Sequence, residues 1–279
     1  MPPNTQRFRP GAVRLNAAQL KWIAIICMII NHIGAGFLRF GDATVFGRNL
    51  GAFYEIGRPT FVIFAYLLTE GYIHTRSKAK YLRNLAIFAL VSEVPFNLCF
   101  YGVLLMPLHQ NVFITLTLGL VALWAIDSAI DALRLTTLMR TSPLIATIAA
   151  SLVATLIATV VAVIANATYS DYGANGIAAI VIIGVGRRLI AAAGDRWPVA
   201  FIERPWLNTL LTVVVVEVAF VFQWTHPLMH LGVVCIALYD GTRGKQSKWL
   251  FYIIYPAHLL IIALAVASWA AVTGTPSVY

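Results

Sequence analysis

Long apolar runs, separated by short polar or basic stretches, dominate the chain. Residues 15–37, LNAAQLKWIAIICMIINHIGAGF, set the pattern. A helix needs about 20 mostly apolar residues to cross a bilayer, and this run has them. The runs are continuous rather than alternating, which argues against a β-barrel. Nine spans are predicted, within a range of eight to ten: about 17–38, 53–73, 82–101, 111–130, 143–166, 174–193, 206–223, 228–239 and 249–271. The eighth is too short to cross alone at about 1.5 Å per residue unless it extends or tilts. The expected fold is all-α, a polytopic membrane helical bundle. No linker or composition shift divides it, so residues 1–279 read as one domain behind a tail at 1–16.

Composition agrees. The 279 residues are 60% hydrophobic and 11% charged, whereas a soluble domain carries about 25% charged residues. The net charge of +9 would suggest a nucleic-acid partner for a soluble protein. Here the positive-inside rule accounts for it. With the N-terminus cytoplasmic, 17 of the 20 Lys and Arg residues fall on the cytoplasmic side, and only Arg39, Arg48 and Arg58 on the other. The expectation is therefore N-in, C-out, in the cell membrane, with the bilayer as partner and no nucleic acid. The first run is too long for a signal-peptide core and GAGF is a poor cleavage site, so the first span should be retained. Cys27, Cys99 and Cys235 are widely spaced and read as small packing residues, with no metal site among them.

Ionisable residues inside spans are costly and therefore informative. Placed by helical rise, His32, Arg58, Glu93, Asn97, Asn111, Asp171, Glu217 and His258 all fall between the midplane and the outer surface. Tyr255 belongs with them, in the stretch YPAHLL. Charges in hydrocarbon must face one another or water, so a polar cavity in the outer half is expected. Each residue also has a plainer reading. Arg58 can pair with Glu55 three residues earlier. Glu93 and Glu217 can each make an interhelical hydrogen bond, and His258 can bond backbone loosened by Pro256. Arg76, Lys78, Lys80 and Arg83 follow from topology alone, or they form a site for an anionic cofactor.

His32 stands out because it lies 11 residues after Lys21, about 16 Å or three turns along one helix face. Such a helix can hold an anionic donor at its inner end and a general base near the midplane, and His is the natural base at neutral pH.

The chain resembles the TraX family of membrane acetyltransferases. The resemblance runs through LKWIAIICMIINHIG (20–34), IGRPTFVIFAYLLTEGYIHTRSKAKYLRNLAIFALVSEVPFN (56–97), NVFITLTLGL (111–120), DYGANGI (171–177) and FYIIYPAHLL (251–260). The Lys-x10-His spacing is also similar to the Arg-x10-His motif of the acyltransferase type 3 family, whose His is taken as catalytic. The resemblance implies acyl transfer from cytoplasmic acetyl-CoA to an extracytoplasmic amine or hydroxyl, on a protein or a glycan. His32 would be the base or acyl carrier, and Lys21 would assist on the donor side. Arg58, Glu93, Asn97, Asn111, Asp171, Tyr255 and His258 would line the acceptor site, and Arg76, Lys78, Lys80 and Arg83 would meet the donor phosphates. Family members usually have Asp before this His. Here Asn31 stands there, able to hydrogen-bond but not to charge-stabilise the imidazole. A proton-coupled transporter built on the same His and Glu residues, or a non-enzymatic assembly factor, are the alternatives.

Overall fold

A computed structural model describes residues 14–38, 44–45, 48–49, 51–134, 142–196, 210, 213–214 and 228–274. It is helical apart from one two-residue antiparallel pair, β1 (Thr44–Val45) and β2 (Arg48–Asn49). The helices are α1 (Ala17–Leu38), α2 (Gly51–Ile56), α3 (Pro59–His74), α4 (Lys78–Tyr101), α5 (Val112–Arg134), α6 (Pro143–Ala167), α7 (Gly173–Arg196), α8 (Met229–Ala237) and α9 (Lys248–Thr273). Among the described residues, five helices are long and apolar enough to cross a membrane: α1, α4, α5, α6 and α9. The chain is thus a multi-pass helical membrane protein. Glu217 and all of the expected seventh span except residues 210, 213 and 214 lie outside the described residues.

The expected second span is broken. It divides into α2 and α3 at the turn Gly57–Arg58. Pro59 begins α3, where its missing N–H costs nothing. Gly57 is required there, because a Cβ would lie 2.3 Å from that of Asn31 on α1. α3 alone, 16 residues long, spans about 24 Å. By contrast α4 runs unbroken through Pro95.

Local signals start the helices. Asn16 and Gln19 exchange side-chain to backbone bonds of 2.9 and 3.0 Å, a capping box opening α1. Ser77 accepts from the Lys80 amide to cap α4. The start of α1 is also held by backbone bonds to the α8–α9 connection, at Leu238, Asp240 and Thr242.

α3 sits at the centre, against α1, α7 and α8. Most of its length is buried, as expected of a helix surrounded by protein. α4 packs along α9, and α5 contacts α4, α6 and α7. α5 and α7 approach closely where Gly184 receives Leu123; a Cβ there would meet the leucine at 2.4 Å. α6 is the most exposed span. Leu144, Ile148, Leu152, Leu156, Val160 and Val163 stand on its open surface, the surface a bilayer would cover.

Candidate functional site

Lys21 and His32 both point at α9. The Lys21 ammonium donates to Gln246 Oε1 at 2.6 Å and lies 5.1 Å over the Phe251 ring. Three turns on, His32 Nδ1 is 2.8 Å from His258 Nε2. Phe251 and His258 are seven residues apart, two turns of one helix face, so one α1–α9 seam carries both contacts. The two imidazoles have planes within 11° and centroids 5.0 Å apart. His258 Nδ1 bonds its own helix at the Ile254 carbonyl, 2.7 Å away. Phe100 from α4 meets the His32 ring edge-on at 5.2 Å.

Tyr255 connects this pair to the rest of the site. Its ring is edge-on to both imidazoles and to Phe113, which follows Val112 at the start of α5. Beside Val112 lies the second cluster. Asn111, fully buried, donates its amide to Glu93 Oε2 at 2.5 Å and to the Ala89 carbonyl at 2.8 Å. Asn97, also fully buried, reaches Glu93 Oε1 at 3.4 Å. Every group bonded to Glu93 is a donor. Among the described residues no cation pairs with it. Asn97 Oδ1 and the nearby Ser92 Oγ are buried without a described hydrogen-bond partner. The cluster therefore has acceptors to spare and too little positive charge.

Asp171 closes this end of the bundle. Its amide donates to the Gln110 carbonyl, and its own carbonyl accepts from the Thr115 hydroxyl. Burial raises its carboxyl to about 6, against a smaller opposing pull from the Tyr172 backbone. The residue keeps an exposed surface, so the carboxyl is desolvated by its neighbours without being sealed off. Tyr172 follows in the left-handed region, φ 65°, where a non-glycine residue is strained. Its ring stacks on Phe61 at 3.9 Å, which holds the turn. Arg58 leans toward Glu55, 3.6 Å away, and over the Tyr54 ring at 4.9 Å. Asn31 turns from His32 and donates to the Tyr54 carbonyl at 2.8 Å. It ties α1 to α2 and does not touch the imidazole it precedes.

The opposite end, which carries Lys21, is basic. Arg76, Lys80 and Arg83 are exposed there. Lys78 is not available in the same way: with Arg188 and the Tyr72 hydroxyl it surrounds Asp127. Arg187 pairs with Glu70, which also holds His74 at 2.8 Å. Two carboxylates thus bind α3, α4, α5 and α7 together.

Residues 16–266 match the TraX protein family. The chain belongs to the TraX family. Over 263 residues it is 26% identical to "Probable fimbrial assembly protein FimC, serogroup H1" from Dichelobacter nodosus, covering 91% of this chain and 96% of that protein. No solved structure matches. Within this TraX chain, sequence reasoning missed Asp127, Tyr72 and Phe100. Asp127 had a signal, an acid inside the apolar run LTLGLVALWAIDSAI. Phe100 had none, because a Phe in an apolar run is ordinary.

Proposed function

We propose that this TraX-family protein is a membrane acetyltransferase that moves an acetyl group from cytoplasmic acetyl-CoA to an amine presented on the extracytoplasmic side. The His32–His258 contact carries the reading: two imidazoles from distant parts of the chain meet inside the helical bundle. The proposal includes the full nine-span, N-in topology, which sets the basic end toward the cytoplasm.

In this mechanism the donor phosphates meet Arg76, Lys80 and Arg83. Lys78 contributes less, because Asp127 already neutralises it. Lys21 lies about 16 Å below His32 by helical rise, along the path a pantetheine arm would take. His32 Nε2 accepts a proton as the acceptor nitrogen bonds the thioester carbon. The tetrahedral intermediate then expels the CoA thiolate, which takes that proton from His32. Glu93 supports an amine over a hydroxyl: its oxygens and the spare Asn97 oxygen would accept hydrogen bonds from the neutral amine's N–H groups, which leaves one proton to pass to His32. Arg58 and Asp171 frame the outer approach.

The relative's name favours a second reading, in which the protein assists fimbrial assembly by holding a subunit without chemistry. The two separate on His32→Ala. Under the enzyme reading, acetyl transfer by the purified variant in nanodiscs falls about 10³-fold, while the yield of folded protein and acetyl-CoA binding are retained. Unchanged transfer in this variant removes His32 from the reaction. An assembly factor would bind no acetyl-CoA in either form.

A further inference from the structure

We infer that His258 is a positioning residue that sets the tautomer of His32, holding its proton on Nδ1 and leaving Nε2 bare. What Nε2 then does rests on the acyl-transfer reading above; the tautomer does not.

The chain of bonds has one direction. A carbonyl oxygen only accepts, so the 2.7 Å contact with Ile254 requires the proton of His258 on Nδ1. A neutral imidazole has one N–H, which leaves His258 Nε2 as a lone pair. That lone pair lies 2.8 Å from His32 Nδ1, so the donor is His32. Its own single proton is thereby used, and Nε2 is left as the free base. The anchor is local, four residues back on α9, and forms wherever that helix forms. The near-parallel rings, with planes within 11°, keep the shared hydrogen close to both ring planes, where the lone pair points.

A doubly protonated His258 would reverse this order. It would also put an uncompensated charge in the seam. The rings that face the pair are Phe100 from α4 and Tyr255 from α9, and no described carboxylate bonds either imidazole. The neutral pair is the form the surroundings support.

This arrangement supplies what Asn31 does not. A general base is oriented by a third group on its other nitrogen. In many sites that group is a carboxylate; here a second imidazole takes the place, from a helix more than 200 residues away in sequence. When His32 Nε2 takes up a proton, the resulting positive charge is stabilised by the same Nδ1–H bond to His258.

Three variants and one spectrum test this. His258→Gln puts a carbonyl oxygen near the Nε2 position, where it can accept from His32. His258→Asn places its amide near the Nδ1 position, within reach of Ile254 but not of His32. His258→Ala removes both. In nanodiscs, the transfer rate at saturating acceptor is expected to stay within about 10-fold of wild type for Gln, and to fall about 10²–10³-fold for both Asn and Ala, with acetyl-CoA binding retained in all three. A structural role alone would favour Asn, which keeps the helix bond. In ¹⁵N-histidine NMR of the wild type, His32 should show N–H at Nδ1 and a bare Nε2, and His258→Asn should remove that preference. A wild-type His32 protonated at Nε2 overturns the inference whatever the activity. So does a Gln variant as slow as Ala. The expected spectrum together with unimpaired transfer by His32→Ala would instead overturn the role of His32 as the base in the acyl-transfer reading.

Discussion

The two ends of the bundle handle charge in opposite ways. At the basic end Asp127 is met by Lys78, Arg188 and Tyr72, and Glu70 by Arg187 and His74. Each of these two carboxylates has a cation on another helix. In the other half Glu93 has donors but no described cation, Asn97 and Ser92 keep buried oxygens without a described partner, and two histidines bond each other. An apolar interior penalises both unmatched charge and unmatched polar atoms. A matched cluster is complete as it stands and reads as a tie between helices. An unmatched one is completed by something that arrives, and so reads as a binding site.

Substitutions can break that contrast, and they should do so unequally. Asp127→Ala leaves Lys78 and Arg188 facing each other. Losing one partner of a fully buried pair costs about 3–5 kcal/mol. The Lys78 and Arg188 side chains keep 36% and 33% of their surface, so about 1–3 kcal/mol is expected here after screening. Thermal unfolding in detergent should report the loss, with near-normal turnover in whatever remains folded. A variant as stable as wild type would end the idea that the basic end is a structural tie.

Glu93→Gln should behave in reverse. Losing the uncompensated charge offsets the new NH2 facing an Asn97 or Asn111 donor, so stability should change by about 1 kcal/mol or less, while kcat/KM for an amine acceptor falls about 10–100-fold, as for a lost charge-assisted hydrogen bond. A large drop in stability with turnover intact would make Glu93 another tie.

Asp171→Asn tests the far rim by pH. The carboxyl rises to about 6 in the folded protein, from near 4 when unfolded. The folded state therefore prefers the protonated form. Its contribution is full below about pH 4 and is lost as pH rises through 6. The wild type should lose stability across that window relative to Asp171→Asn, which should be the flatter of the two. Parallel pH profiles would show that Asp171 is solvated.

Asn31→Ala should matter least. It removes one interhelical bond to Tyr54, a change of about 0.5–1 kcal/mol, and should leave the His32 tautomer seen by NMR unchanged. A collapse of transfer in this variant would return Asn31 to the chemistry.

Several of these roles were legible in the sequence and several were not. The positions of His32, Glu93, Asn111 and His258 along their helices follow from counting residues inside apolar runs, and the depth argument placed them in one half. Their partners do not follow. Asn31 and His32 are adjacent in sequence, but one step around a helix separates neighbours by about 100°, and the two side chains meet different helices. Lys78 and Arg76 look alike in a basic stretch, yet only Lys78 lies against Asp127. The second apolar run reads as one span because hydropathy does not register the Gly57–Pro59 break, which owes its form to the close approach of Asn31.

Apolar composition and the local i to i−4 hydrogen bonding of helices are properties of the chain read in order. With every backbone group obliged to bond internally in lipid, they were enough to determine a multi-pass helical protein and the place of its polar residues along the helices. Which residues meet was decided by packing. His32 and His258 are 226 residues apart, and the rotation and approach of α1 on α9 bring one ring nitrogen of each within a hydrogen bond. That contact decides which nitrogen of His32 carries the proton, because a proton's place on an imidazole is set by its partner in space.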